Sequence, residues 1–145
     1  MIGLIQRVTH ANVVVNGSEI ASINQGILCL LGVEKEDTQQ NAKDLLNKIV
    51  NFRIFEDENG KMNLPLAKIK GDLLVVPQFT LPADTRKGTR PSFASAASPE
   101  LGKELYDYFI ALAETEIEKI ETGKFGADMK VSLTNDGPVT FWLQK

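Results

Sequence analysis

The chain has 145 residues, the length of one ordinary domain, and a domain of this size buries roughly two thirds of its unfolded surface. Hydrophobic residues make up 43% and charged residues 24% of the composition, which argues against a disordered or fibrous protein. With 16 basic and 19 acidic residues the net charge is -3, the wrong sign for a protein that coats nucleic acid through its phosphates. We therefore expect one globular domain over residues 1–145, in which any contact with RNA is local.

The first third of the chain has the pattern of a β-sheet. Apolar residues dominate 2–8 and 11–15, and Asn16-Gly17 followed by 18–23 predicts a hairpin. The run 27–33 has no polar alternation, so we expect a strand that is covered on both faces.

The single cysteine, Cys29, lies in this last apolar run, which predicts a buried thiol and excludes an internal disulfide. A free thiol fits a reducing compartment. Residues 1–10 contain no basic leader or cleavage site, and no apolar run is long enough to span a membrane. We expect a cytoplasmic protein with no membrane partner.

The middle of the chain alternates between helix and strand. Apolar residues at helical spacing predict a first helix between Thr38 and Phe52, with Asp37 or Thr38 as its N-cap. A turn at 57–60 follows, and a buried strand begins at Leu73.

The last third predicts a second helix and a hairpin. Residues 98–100, Ser-Pro-Glu, form a typical helix start, and the apolar spacing continues to about Ile120. Alternation over 129–133, a turn at 135–138 and a strand at 139–143 predict a final hairpin. The elements together predict an α/β fold with mixed, largely antiparallel sheets and two long helices.

This chain lacks the residues that most catalytic mechanisms require. The single histidine, His10, is predicted to be a turn residue, and no serine stands in a nucleophile elbow. One His and one Cys do not furnish a typical zinc site, and no glycine-rich phosphate loop is present, so we predict no metal and no cofactor. Two segments with unusual backbones remain, VVPQFTLP at 75–82 and NDGPVTF at 135–141. They predict a site made largely of main-chain groups.

Two features within or beside these segments have more than one interpretation. Gly137-Pro138 is either a turn that closes the last hairpin or a cis peptide, and only about 5–6% of X-Pro bonds in folded proteins are cis. Arg86, Lys87 and Arg90 concentrate positive charge directly after the first segment. They form either a solvated loop or a local contact for RNA.

The two segments resemble the paired signatures of the D-aminoacyl-tRNA deacylase family, S-Q-F-T-L and N-x-G-P-V/T. They stand here as Pro77–Leu81 and Asn135–Val139. MIGLIQRVTHANV, GKMNL and Arg90-Pro91-Ser92-Phe93 agree as well, so that the resemblance covers residues 1–145. It implies the three-layer fold of that family and a cofactor-free homodimer. Its activity would be hydrolysis of the ester between a D-amino acid and the terminal adenosine of tRNA.

The resemblance also implies how the substrate's chirality is read. The Gly137-Pro138 peptide would be cis and would enter the partner subunit's pocket, where its carbonyls hold the amino group and leave no room for an L side chain. Glycyl-tRNA would also be accepted, because it has no side chain to exclude. Arg7 would brace this loop.

The catalytic segment implied by the resemblance is Gln78, Phe79 and Thr80. No base accompanies Thr80, so we expect it to position the ester or water rather than attack, with the tRNA's own 2'-hydroxyl assisting. Phe79 either stacks on the terminal adenine, walls the pocket or is a core aromatic. Arg86, Lys87 and Arg90 would contact the acceptor end of the tRNA.

The family's usual serine is Pro77 in this sequence, which removes both a hydroxyl and a backbone N–H. Any oxyanion donor from this segment must therefore be a later amide, at Phe79 or Thr80. Either the serine is dispensable or this protein is slower than its relatives. Pro77 also favours the alternative of a non-catalytic module that binds RNA ends or another protein.

A third alternative is a hydrolase of a different ester or amide, which the lack of a histidine or metal site disfavours. We expect no DNA partner.

Overall fold

The computed structural model describes all 145 residues and contains one mixed sheet with helices against one face. The helices are α1 (Gln39–Asn51), α2 (Leu66–Ile69) and α3 (Pro99–Glu116). The strands are β1 (Ile2–Val15), β2 (Ser18–Ile23), β3 (Gly26–Gly32), β4 (Phe55–Glu56), β5 (Met62–Leu64), β6 (Asp72–Pro77), β7 (Ile120–Thr122) and β8 (Lys130–Gln144). The main sheet has the order β2-β1-β3-β6-β7, with β8 also paired to β1, and β4 and β5 form a separate pair. The predicted α/β class is confirmed.

The sheet is organised around β1, the two apolar runs of the N-terminus joined in one strand. Its first half pairs antiparallel with β3, its second half with β2, and β8 runs antiparallel along most of its length. Asn16 and Gly17 have φ angles of 50° and 80° and close the β1–β2 hairpin, as the Asn-Gly pair predicted. β2 also approaches β6 and β7, so the sheet curls over on itself.

The parallel strands β3 and β6 are buried on both faces, as their unbroken apolar runs predicted. Leu73 and Val75 face the main core with α1 and α3, whereas Leu74 and Val76 face a second cluster with the far half of β1 and with β2. The result is three layers: helices, central strands and the curled arm of the sheet. Burial also raises the pKa of the Cys29 thiol to about 12, which keeps this side chain protonated.

Both long helices start where the capping residues predicted. Thr38 is the N-cap of α1, and its N–H donates to Asn41 Oδ1 at 2.9 Å. Asp37, the other candidate, instead accepts hydrogen bonds from the Glu34 N–H at 2.7 Å and from the Met1 ammonium group. Ser98 caps α3 by accepting a hydrogen bond from the Leu101 N–H at 3.3 Å. None of the helices is long and apolar enough to cross a membrane.

The predicted end of the second long helix is wrong. α3 stops at Glu116 rather than near Ile120, and Ile120–Thr122 form β7, parallel to β6. Ile117 already has an extended backbone, with φ of -124°. Apolar spacing does not distinguish a last helical turn from a short strand, and here the open edge of β6 takes the residues into the sheet.

The predicted final hairpin is also wrong. β8 is continuous, and both of its halves pair with β1 in the same direction. Between the pairs Asn135–Val8 and Thr140–Gln6 the ladder is interrupted, so residues 136–139 bulge out of it. Asn-Asp-Gly-Pro has the local chemistry of a turn, but pairing with a long neighbouring strand outweighs it.

His10 is not a turn residue as predicted, because it lies within β1 opposite Thr134. It is exposed, and its ring nitrogens contact the hydroxyls of Thr9 at 3.1 Å and Thr134 at 3.3 Å.

Candidate active site

A cavity of about 600 Å³ opens at the carboxyl ends of the parallel strands β3 and β6. Its walls come from the strand ends, including Pro77, from the start of α3 at Ser98 and Pro99, and from the segment that leads into β8. Gln78 and Phe79 also line it. Ligands commonly bind at this position in sheets with parallel strands, because successive loops converge there.

Residues 78–81 form a tight turn at this cavity. The Gln78 N–H donates to Leu31 O at 2.8 Å and the Leu81 N–H donates to Gln78 O at 3.3 Å. The N–H groups of Phe79 and Thr80, between these two bonds, donate to no acceptor in the protein. Both residues are exposed, so a substrate oxygen can take the place of water on these amides.

The side chains of Gln78 and Thr80 are joined by a hydrogen bond. Gln78 Nε2 donates to Thr80 Oγ1 at 2.7 Å. Gln78 is the only side chain bonded to this hydroxyl, which keeps its own proton and has no ionisable partner to remove it. Chemically, the arrangement suits a hydroxyl that donates a hydrogen bond better than one that attacks.

Two aromatic rings stand at the mouth of the cavity. Phe79 is 67% exposed and Phe93 is 44% exposed, and their ring centroids are 5.5 Å apart. Phe79 is therefore not a core aromatic, which removes one of its three interpretations. Phe93 belongs to the Arg-Pro-Ser-Phe segment that contributed to the resemblance, although sequence analysis assigned it no role.

The basic residues after the turn are not equivalent. Arg86 forms a two-point ion pair with Asp84, with Nε 2.9 Å from Oδ1 and Nη2 2.7 Å from Oδ2. This hydrogen bonding lowers the pKa of Asp84 and raises the pKa of Arg86. Lys87 and Arg90 are exposed and have no such partner. The loop thus carries two unpaired cations rather than three.

The second unusual segment, Asn135–Val139, is held by its own first side chain. Asn135 Oδ1 accepts a hydrogen bond from the Val139 N–H at 2.6 Å, while Nδ2 donates to Thr140 Oγ1 at 2.9 Å and to Val139 O at 3.3 Å. We call the bulged segment the Asn135 loop. Asn135 was not among the predicted site residues, although it stands at the head of the second motif.

The Asn135 loop presents Gly137 and Pro138 to solvent, and the peptide bond between them is cis. Gly137 has φ of 146°, a backbone conformation that side chains rarely adopt. An added Cβ would lie 2.5 Å from Val139 Cγ2 and 2.9 Å from Val139 N. Only glycine fits this position without a shift of the loop.

Arg7 ties the Asn135 loop to the rest of the fold. It is only 6% exposed, and its Nε donates to Asp136 O at 2.9 Å while Nη1 donates to Ile54 O at 2.7 Å. Nε also lies 3.3 Å from Asp136 Oδ2. A buried guanidinium with several acceptors is a rigid connection.

Within one chain the two unusual segments do not meet. Asn135 pairs with Val8, which pairs with Gly26 at the start of β3, whereas Pro77 pairs with Leu31 near the end of β3. Five residues of strand separate these levels, or about 16 Å. Accordingly, no residue of the Asn135 loop lines the cavity.

One further residue of the cavity wall was not predicted from the sequence. Tyr106, on α3, is 5% exposed, and its hydroxyl lies 3.0 Å from Val75 O and 3.1 Å from Gly123 O. Its buried position on the helix fits core packing, and no sequence signal indicates the carbonyls that it contacts. No group of three or more His, Cys, Asp or Glu side chains is placed to hold a metal ion.

The sequence is similar to one family along nearly its whole length. It matches the family described as D-Tyr-tRNA(Tyr) deacylase over residues 4–144. Proteins named D-aminoacyl-tRNA deacylase from Hahella chejuensis and Photorhabdus laumondii are 58% and 60% identical over 144 residues, covering 99% of each chain. One of the same name from Pseudoalteromonas translucida is 61% identical over 143 residues, again covering 99% of each chain.

Solved structures also resemble this one. A protein titled "c-Myc DNA Unwinding Element Binding Protein" is 42% identical, with a TM-score of 0.94 and coverage of 100% of this chain and 99% of that chain. A structure titled "Structural Analysis of a probable eukaryotic D-amino acid tRNA deacylase" is 17% identical, with a TM-score of 0.82 and coverage of 99% and 98%. The second likeness shows a shared fold.

Proposed function

Because the chain belongs to the D-Tyr-tRNA(Tyr) deacylase family and is a D-aminoacyl-tRNA deacylase, we propose that its site is completed by a second subunit. The enzyme hydrolyses the ester of D-aminoacyl-tRNA and so proofreads charged tRNA. Residues 78–80 of one subunit would meet Gly137 and Pro138 of the other. The observation that carries the proposal is the separation of these two segments within a single chain.

Features of β8 support a homodimer. This strand of 15 residues lies at the edge of the sheet, beyond β1. Its residues Phe141 and Trp142 are 37% and 51% exposed. Long edge strands with exposed aromatic side chains invite pairing with another chain, and monomeric proteins usually protect them.

The unpaired amides of Phe79 and Thr80 would stabilise the reaction's charged intermediate. Attack on the ester carbonyl places negative charge on its oxygen, and two fixed N–H donors offset that charge without having to reorganise. The Thr80 hydroxyl would position the reactants, either by donating a hydrogen bond to the ester or by accepting one from the attacking water. The substrate's own 2'-hydroxyl, next to the ester, would assist the attack, so that no protein base is required.

The Asn135 loop would read chirality by shape. The carbonyls of Gly137 and Pro138 would accept hydrogen bonds from the substrate's amino group, leaving no room for an L side chain at the α-carbon. A D side chain would point away and be read loosely. Glycine has no side chain to exclude, so glycyl-tRNA would also be a substrate.

The cavity would take the terminal adenosine, with Phe79 and Phe93 as stacking surfaces. Lys87 and Arg90 would contact phosphates of the acceptor end, and Arg86 would contribute less because Asp84 already neutralises it. With charged tRNA as its substrate, the enzyme would act in the cytoplasm.

Three substrates test the proposal in one assay. Purified protein is incubated with D-tyrosyl-, L-tyrosyl- and glycyl-tRNA, and loss of the ester is measured. We expect hydrolysis of the first and third and protection of the second. Equal rates on the D and L esters would contradict selection by shape.

Thr80→Ala tests the positioning role of the hydroxyl. We expect single-turnover deacylation to fall about tenfold, because one hydrogen bond is lost while the amides remain. Thr85→Ala, an exposed threonine in the following loop, is the control. Complete loss of hydrolysis with tight substrate binding would instead indicate an acyl-threonine intermediate.

Binding to DNA is a second candidate, because the relative of known structure at 42% identity carries that property in its title. The net charge of -3 disfavours it, since duplex DNA is held chiefly through its phosphates. A competition assay decides: excess duplex DNA should leave deacylation of D-tyrosyl-tRNA unchanged.

A further inference from the structure

The hydrogen bonding between β6 and the chain beyond β7 is interrupted at Pro77. The Gly123 N–H donates to Val75 O at 2.8 Å, continuing the parallel pairing one residue past β7. In a parallel ladder the next bond runs from the N–H two residues further along, at position 77, to Gly123 O. Proline has no N–H, so this bond is missing.

The ring of Pro77 occupies the place of that bond. Its Cδ, which is bonded to the nitrogen where other residues carry the amide hydrogen, faces Gly123. A Cβ added to Gly123 would lie 3.1 Å from this Cδ. Gly123 is itself buried, so water does not replace the missing donor.

The hydroxyl of Tyr106 supplies a donor at this point. It lies 3.0 Å from Val75 O and 3.1 Å from Gly123 O. Val75 O already accepts the Gly123 N–H, whereas no N–H in the protein donates to Gly123 O. The Tyr106 hydroxyl donates to both carbonyls and is the only donor to Gly123 O, the one that Pro77 leaves without a partner, so it bridges β6 and the chain beyond β7. Burial raises the pKa of the phenol, so the group remains a donor at any assay pH.

We propose that Tyr106 is a positioning residue of the deacylase, whose hydroxyl replaces the backbone donor missing at Pro77 and thereby holds the end of β6. The catalytic turn 78–81 extends directly from that strand end, so its position depends on the hydrogen bond from Tyr106. The proposal rests on the proposed function of the Phe79 and Thr80 amides. Displacement of such donors by a fraction of an ångström lowers the rate of the chemical step more than it lowers binding.

The test is a cycle of Tyr106→Phe, Pro77→Ser and the double variant. Tyr106→Phe should lower kcat on D-tyrosyl-tRNA about tenfold with little change in KM, and should speed amide hydrogen exchange of Gln78 by a similar factor. In the double variant the serine amide can donate to Gly123 O, so both values should return to within about threefold of wild type. Pro77→Ser alone is the reference against which the double variant is compared, and Tyr108→Phe on the same helix is the matched control.

Two results would overturn the proposal. One is that Tyr106→Phe leaves kcat and the exchange of Gln78 unchanged. The other is that the double variant is no better than Tyr106→Phe, which includes the case in which neither folds. If wild-type protein does not hydrolyse D-tyrosyl-tRNA, the proposed function fails, yet rescue of hydrogen exchange by Pro77→Ser still decides the role of Tyr106.

Discussion

The turn at residues 78–81 and the Asn135 loop are built in opposite ways. The turn leaves the amides of Phe79 and Thr80 without partners, whereas the loop is tied down by Asn135 and by the buried Arg7. Unpaired donors are useful where charge develops during a reaction, and a fixed wall is useful where shape must be read. The turn is therefore suited to chemistry and the Asn135 loop to selection between substrates.

The largest effect should come from removing one unpaired amide. Phe79 is the second residue of a turn closed by the Leu81 N–H, a position that tolerates proline, so Phe79→Pro deletes the N–H while keeping the turn. If this amide is an oxyanion donor, we expect kcat to fall about 100- to 1000-fold, the loss typical when such a donor is removed. Phe79→Ala, which removes the ring but keeps the amide, is the control and should act mainly on KM. Similar losses in both variants would mean that the ring, not the amide, matters.

Gly137→Ala alters the Asn135 loop, the second of the two compared segments. A Cβ would clash with Val139 at 2.5 Å in a backbone conformation that disfavours side chains, so the wall must move. We expect deacylation of D-tyrosyl-tRNA to fall about 100-fold, corresponding to roughly 3 kcal/mol. Gly60→Ala is the matched control, because Gly60 also has positive φ but has open space around it. A normal rate in Gly137→Ala would show that no wall is required there.

Substitution of Asn135 tests whether the loop must be held in place for the enzyme to distinguish D from L esters. Asn135→Ala removes three hydrogen bonds from the loop, and we expect the ratio of D to L hydrolysis to fall about tenfold. Thr140→Val removes only the bond from Nδ2 to the hydroxyl and should have a smaller effect. The two initial rates on D- and L-tyrosyl-tRNA provide the measurement, and an unchanged ratio would leave Arg7 as the sole support of the loop.

The smallest effects should concern the cations beside the turn. Each unpaired phosphate contact contributes about one unit to the salt dependence of tRNA affinity. We therefore expect Lys87→Ala and Arg90→Ala each to flatten the plot of log Kd against log salt, and Arg86→Ala to alter it less, because of its pair with Asp84. If the affinity of wild-type protein for tRNA does not change between low and moderate salt, tRNA does not bind at these cations.

The same two segments mark how far sequence alone can predict this protein. Apolar runs and capping residues were sufficient for β3, β6 and the starts of α1 and α3, because those patterns are local. They failed at residues 135–139, where pairing with β1 overrides a typical turn sequence. The unpaired amides of Phe79 and Thr80 could be suspected from Pro77, but Tyr106 could not. Its role depends on carbonyls that only the folded chain brings to it.

Mixed dimers test the shared site most directly. The Phe79→Pro and Gly137→Ala variants, each expected to be nearly inactive, are purified separately. They are then unfolded, mixed in equal amounts and refolded together. If each site combines the turn of one subunit with the Asn135 loop of the other, half of the dimers contain one intact site. The mixture should then recover about a quarter of the wild-type rate on D-tyrosyl-tRNA. A mixed sample that stays at the low rate of the separate variants, while wild type refolds to full activity, would contradict a site shared between subunits.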